Sequence, residues 1–206
     1  MSKRSPYSRY SRVDNVQSKY CYLNSDIYIN KLNIKERKAL TSLEADLSAH
    51  RLMQLMIKPI RGKFGIVHLR RIHEYIFQDL YDFAGKFREE DITKGSTIFC
   101  KSQFIQHNLE ILLDELKAEN YLTNLDKTAF IKRLAYYMAE LNILHPFREG
   151  NGRTIREFIR QLALKNGYDL DWSQIEGDLL LQAMIQSAHM DFSLLERCLE
   201  QLLIKE

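Results

Sequence analysis

The sequence predicts a mainly α-helical bundle carrying one small β-hairpin, and three observations support that expectation. Apolar residues recur three and four positions apart in several long segments, which is the period of a buried helix face. One stretch, Gly85 to Phe99, leaves that period and sets β-branched and aromatic residues around Lys94-Gly95-Ser96. With 206 residues, 45% hydrophobic and 28% charged, the chain has the size and composition of one folded core.

The elements follow in order. Residues 1–19 are rich in Ser, Tyr and Arg without apolar periodicity, and read as a mobile basic arm ahead of a single domain over 20–206. Tyr20 to Ile34 reads as an extended segment laying Leu32 and Ile34 on the core. A helix is expected over about 35–56, with Leu40, Leu43, Leu47, Leu52 and Leu55 along one side. Pro59, Gly62 and Gly65 break it. A second helix, about 68–81, buries Leu69, Ile72, Ile76, Phe77 and Leu80. His68 and His73 lie on it with no further ligand at metal spacing, so both are read as structural.

Residues 85–99 form the hairpin, with Phe87, Ile92, Thr97, Ile98 and Phe99 flanking its turn. A lone two-stranded ribbon on a helical body leaves an unpaired edge. A third helix spans about 101–119, burying Phe104, Ile105, Leu109, Leu112, Leu113 and Leu116. The central helix, about 126–144, repeats at Phe130, Leu134, Tyr137, Leu141 and Leu144. The next carries Ile155, Phe158, Ile159 and Leu162 and stops at Asn166-Gly167. A turn over 168–173 and two short helices, about 173–187 and 191–203, close the chain, with Trp172 as a core plug.

Thirty basic against 27 acidic residues give a formal charge of +3, which offers no global electrostatic case for direct nucleic-acid binding. Cys21, Cys100 and Cys198 are widely spaced and odd in number, matching neither a disulfide framework nor a zinc knuckle and fitting a cytoplasmic setting. No run reaches the ~18 apolar residues of a membrane span, and the N-terminus lacks the apolar centre of a signal peptide. Delivery as an effector by a specialised secretion system leaves no trace in such a scan.

Between the central helix and its successor lies His145-Pro-Phe-Arg-Glu-Gly-Asn-Gly-Arg-Thr-Ile-Arg156. Gly150 and Gly152 let the backbone turn tightly and approach a ligand. Free amides at a helix start, with the positive end of its dipole, form an anion site. Arg153 and Arg156 share a helix face and fork onto phosphate oxygens. Glu149 is a hard oxygen ligand suited to magnesium, and His145 is an imidazole able to take a proton near neutral pH. Phe147 anchors the loop in the core, while Arg148 and Arg160 read as surface charges. Singly, each of these residues has an ordinary structural reading; their joint occurrence in register points to a phosphate site with a base beside it.

The segment resembles the signature of the Fic (filamentation induced by cyclic AMP) family, His-Pro-Phe-x-Asp/Glu-Gly-Asn-Gly-Arg-x-x-Arg, at every specified position. The resemblance implies a Fic-fold helical bundle with a β-hairpin flap over the active site. The implied activity is transfer of AMP from ATP to a hydroxyl side chain of a target protein, with release of pyrophosphate. Carried onto this chain, His145 deprotonates the hydroxyl, Glu149 holds Mg2+, and Asn151 with the loop amides of Gly150 and Gly152 holds the α- and β-phosphates. Arg153 and Arg156 hold the β- and γ-phosphates. Ile92, Thr93, Lys94 and Gly95 form the flap edge that docks an extended target segment.

Many Fic proteins carry an inhibitory helix bearing Ser/Thr-x-x-x-Glu. No glutamate here has Ser or Thr four positions before it, so the resemblance implies a toxin restrained in trans by a small helical antitoxin near Arg156. Type II topoisomerases are targets of some relatives, which makes DNA gyrase or topoisomerase IV a first trial. Two rival readings remain: a phosphotransfer enzyme, whose loops replace the second glycine that is intact here as Gly152, and a non-catalytic nucleotide-binding regulator, which has no use for His145.

Overall fold

The computed structural model describes residues 10–14, 16–95 and 97–205. Of the expected N-terminal arm, residues 1–9 lie outside the described residues. Ser11–Arg12 form a strand, β1, where the composition suggested no structure.

Glu36 starts α1 (Arg37–Ile57), its carboxylate accepting from the amides of Lys38 and Ala39. Helix α2 (Ile66–Phe77) follows Gly65 and buries Leu69, Ile72, Ile76 and Phe77. Strands β2 (Ile92–Lys94) and β3 (Thr97–Ile98) make the expected hairpin. It is not two-stranded, however: β1 pairs antiparallel with β2, Arg12 opposite Ile92 and Ser11 opposite Thr93. The edge read as open is covered by the chain's own N-terminal segment.

Helix α3 (Ile105–Ala118) buries Leu109, Leu112, Leu113 and Leu116, whereas Phe104, expected in the core, precedes the helix and is exposed. Leu32 is exposed too, and only Ile34 of its pair packs on the core. Helix α4 (Lys127–Leu144) begins at Asp126, whose side chain accepts from the Ala129 amide at 2.9 Å. That cap is worth about 1 kcal/mol, so Asp126→Ala is expected to lower the unfolding free energy by that much, read as a lower urea midpoint with the slope of the transition unchanged. Buried residues on more than one side of α4, including Ile131, Ala135, Met138 and Ala139 beside the predicted stripe, make it the centre of the bundle.

Helix α5 (Asn151–Lys165) packs along α4 and α2 and ends at Asn166 and Gly167, the latter with φ +76°. The predicted stop is therefore correct. Tyr168–Leu170, read as a turn, is instead a strand, β4, paired antiparallel with β5 (Leu203–Lys205) after α6 (Gly177–Ser187) and α7 (Ser193–Leu202). A pairing across that separation in sequence has no local period to announce it. No helix among the described residues is long and apolar enough to cross a membrane.

Candidate active site

The loop between α4 and α5 is held on three sides. At its first residue α4 ends: His145 takes the left-handed conformation, φ 45° and ψ 59°, which a non-glycine residue keeps only when its surroundings demand it. Phe147 is fully buried and stacks on the His73 ring at 3.8 Å. His73 Nε2 donates to the Glu149 carbonyl at 2.9 Å, and its Nδ1 accepts from the Gly85 amide at 2.8 Å. Both ring nitrogens are thus committed to backbone, and the predicted structural role of His73 is fastening the loop to the flap's stem. His68 is also structural, with Nε2 3.1 Å from Gln161 Oε1.

Three arginines escaped the sequence reading. Arg88 is 2% exposed and reaches the carbonyls of His145 (2.8 Å), Glu90 (2.7 Å), Leu144 (3.3 Å) and Cys100, clamping flap stem to loop. Burial pulls its guanidinium down to about 10. Arg148 was expected at the surface. It is buried, 3.3 Å from Glu90 Oε2, and donates to the Tyr28 hydroxyl at 2.8 Å. Arg160, also expected at the surface, is buried against Glu157 and the Leu55 carbonyl. A charged residue on an apolar helix face reads as solvated until its partner, here one turn away or on another element, is known.

No side chain caps the start of α5, so its first amides have no intrahelical partner. Gly150 precedes them with φ +76°, and a Cβ there would lie 2.1 Å from Phe77 Cζ. Asn151, expected as a phosphate ligand, is fully buried. Its Oδ1 accepts from the Phe147 amide (2.8 Å) and its Nδ2 donates to the Phe147 carbonyl (2.7 Å). The carboxamide therefore fixes the shape of the loop.

A cavity of about 840 Å³ opens in front of this helix start, within the ordinary range for small-molecule sites. His145, Gly152, Arg153 and Arg156 all line it, as do Lys94 and Gly95 of the flap. The two arginines predicted to act together do share one cavity. Arg153 also donates to Ser48 Oγ at 2.8 Å, pairs with Glu44, and lies over the Phe77 ring at 4.7 Å. Trp172 is a wall of the cavity more than a core plug, with its Nε1 donating to the Arg156 carbonyl at 3.2 Å.

Glu149 does not line the cavity. Its Oε1 accepts from the Gly150 amide at 3.0 Å and stands 3.9 Å from Arg153, and its Oε2 accepts from the Tyr28 hydroxyl at 3.3 Å. Among the described residues there is no group of three His, Cys, Asp or Glu side chains placed to hold a metal. A single carboxylate beside a phosphate site nevertheless suits magnesium, which typically binds through one or two carboxylates with phosphate oxygens and water completing its shell.

The imidazole of His145 is turned toward the cavity and the flap. Nδ1 lies 2.8 Å from the Asn142 carbonyl; a carbonyl only accepts, so Nδ1 carries the hydrogen. Nε2 of the neutral ring then holds a lone pair, and the Tyr10 hydroxyl donates to it at 2.8 Å. Phe99 stacks on the imidazole at 3.8 Å. Burial pushes both His145 and His73 down to about 3.

Because unfolded histidine titrates near 6.5, the unfolded chain binds more protons than the folded one between pH 6.5 and about 3. Stability is therefore greatest above that window and falls as the pH drops through it, by roughly 1.4 kcal/mol per unit for each histidine. Urea unfolding at stepped pH is expected to show that slope, and His73→Gln is expected to make it shallower by about one histidine's share.

Comparisons agree with this geometry. The Fic/DOC family model matches residues 63–163. A "Probable protein adenylyltransferase Fic" of Escherichia coli K12 is 39% identical, covering 86% of this chain and 88% of that protein. "Protein adenylyltransferase VbhT" of Bartonella schoenbuchensis is 41% identical over 78% of this chain and 34% of its own length. The N-terminal Fic domain of a VirB-translocated Bep effector from Bartonella quintana, solved with bound ADP, superposes with a TM-score of 0.84 at 28% identity, covering 91% of this chain and 95% of that one. Helix order, flap, loop and relatives lead to one conclusion: the chain belongs to the Fic/DOC family.

Proposed function

We propose that the chain is a protein adenylyltransferase, moving AMP from ATP to a hydroxyl side chain of a target protein and releasing pyrophosphate. The observation that carries this reading is the neutral His145 ring, whose Nε2 accepts a proton-bearing hydroxyl at the wall of a cavity shared with Gly152, Arg153 and Arg156. The names of the relatives and the ADP bound in the Bartonella quintana domain support it.

In this reading the amides at the start of α5, exposed by Gly150 and Gly152, hold the α- and β-phosphates, with Asn151 acting through the loop it pins. Arg153 and Arg156 hold the β- and γ-phosphates. The apolar wall of Leu52, Met56, Trp172, Leu181, Met184 and Ile185 takes the purine. Glu149 would hold Mg2+, which supplies charge neutralisation to the phosphates when bound. His145 takes the proton from the target hydroxyl as it attacks the α-phosphorus. Such chemistry rests on positioning and charge stabilisation. Ile92, Thr93, Lys94 and Gly95 seat the target as an added strand.

Phosphotransfer is disfavoured because Gly152 leaves the second glycine position of the loop without a side chain, where phosphotransfer loops carry a bulkier residue. Inhibition in trans by a helical antitoxin near Arg156 is in keeping with a chain in which no glutamate has Ser or Thr four positions before it. DNA gyrase or topoisomerase IV is the first target to try. Incubating purified protein with labelled ATP, Mg2+ and lysate is expected to label discrete proteins with AMP. Labelling by wild type that equals His145→Ala would refute the reading, and a bare phosphate on the product would favour phosphotransfer.

A further inference from the structure

The N-terminal segment does what a docked target would do. Its strand occupies the β2 edge, Ser11 opposite Thr93 and Arg12 opposite Ile92, with Val13 N donating to the Asp91 carbonyl at 3.1 Å. It is anchored at the rear: Arg12 Nη1 is 3.1 Å from Glu90 Oε1, and Glu90 also accepts from Ser18 Oγ (2.7 Å) and the Lys19 amide (2.8 Å). At its front, Tyr10 is held edge-on against Phe99 (5.9 Å) and His145 (4.9 Å), with Lys94 Nζ over its ring at 5.4 Å. Its hydroxyl, 2.8 Å from His145 Nε2, belongs to a residue lining the same cavity as Arg153 and Arg156.

An arm that merely covered the flap edge would need only the strand pairing. Here, among the described residues, the hydroxyl that meets the ring nitrogen Nε2 of His145 is delivered by that pairing, in the orientation in which the oxygen donates its proton to the ring. We propose that Tyr10 is a substrate of its own chain, receiving AMP in cis while residues 11–13 fill the flap edge as a target strand would. The proposal rests on the adenylyltransferase reading above.

In the step, Tyr10 Oη attacks the α-phosphorus of ATP and its proton passes to His145 Nε2. The Oη–P bond forms as the bond from the α-phosphorus to the oxygen bridging the β-phosphate breaks, and pyrophosphate leaves with that electron pair. The imidazolium returns its proton to solvent. Burial, and then the charge of Glu149, hold the phenol far above its ordinary range, opposed by Arg153, Asn151 and Arg148, so a free phenolate is disfavoured and proton transfer must accompany attack. A target strand and residues 11–13 also compete for the same edge.

The test uses the full chain with ATP and Mg2+, read by intact mass and peptide mapping, beside a lysate labelled under the same conditions. The expected result is one AMP per chain on the peptide holding Tyr10, at a rate per chain independent of protein concentration. That label is expected to vanish in Tyr10→Phe and His145→Ala. Val13→Pro, which keeps the tyrosine but removes the amide donated to Asp91, is expected to slow it several-fold. Lysate labelling without AMP on Tyr10, AMP only on other residues, or a rate that rises with protein concentration would overturn the proposal while leaving the adenylyltransferase reading intact. Absence of label on both the chain and the lysate would overturn both.

Discussion

His145→Ala is expected to lower AMP transfer by about two to four orders of magnitude, the usual contribution of a positioned base, while ATP binding remains close to wild type. The reason is a division of labour along the chain. The cavity's phosphate side comes from the start of α5, Arg153 and Arg156, and its apolar wall from α1, α6 and Trp172, none of which the substitution touches. What is lost is the single nitrogen lone pair held in place by Nδ1 on the Asn142 carbonyl. The left-handed backbone at φ 45° is already occupied by the wild-type histidine and suits alanine no better, so His145→Asn, whose side chain tolerates that region, is the companion variant. Both are expected to be inactive, with the asparagine form the more stable. Single-turnover transfer and calorimetric ATP titration separate the two effects. A variant that transfers at wild-type rate would remove His145 from the chemistry.

Gly150→Ala is expected to be the most damaging small substitution for the fold near the site. Its φ of +76° is costly for any residue with a Cβ, and that Cβ would stand 2.1 Å from Phe77 Cζ and 2.2 Å from Cε2. Phe77 is buried at the end of α2, beneath Arg153 and beside the His73 ring, so the ring has little room to retreat. The backbone term of roughly 1–2 kcal/mol and an overpacking term of roughly 1–3 kcal/mol together give a loss of about 2–5 kcal/mol. Thermal and urea unfolding would measure it. Gly95→Ala is the contrast: its φ is +61° but nothing lies within 4 Å of the added carbon, so only the backbone term is expected. Equal losses at the two glycines would mean that the Phe77 contact carries no energy.

Local residue patterns were enough to determine the helical bundle, the stop at Asn166-Gly167, the hairpin and the signature loop. Each depends on residues close in sequence: a period of three and four, a glycine that accepts positive φ, a run of specified positions. The pairing of Tyr168–Leu170 with Leu203–Lys205 was not visible, because strand partners distant in sequence share no local period. The burial of Arg148 and Arg160 was hidden for the same kind of reason: an arginine's surroundings decide whether it is solvated, and Glu90 for Arg148 and the Leu55 carbonyl for Arg160 lie far away in the chain.

The family resemblance implies a phosphate-binding role for Asn151, yet tertiary structure places both its polar atoms on Phe147. Tyr10 gave no signal at all in a stretch without periodicity. Only the folded chain, by laying residues 11 and 12 along β2, brings its hydroxyl to the imidazole. The sequence by itself determined which chemical groups the loop carries, since that chemistry is written in consecutive residues. Tertiary structure alone decided which hydroxyl they face, because that depends on a contact across 135 positions of chain.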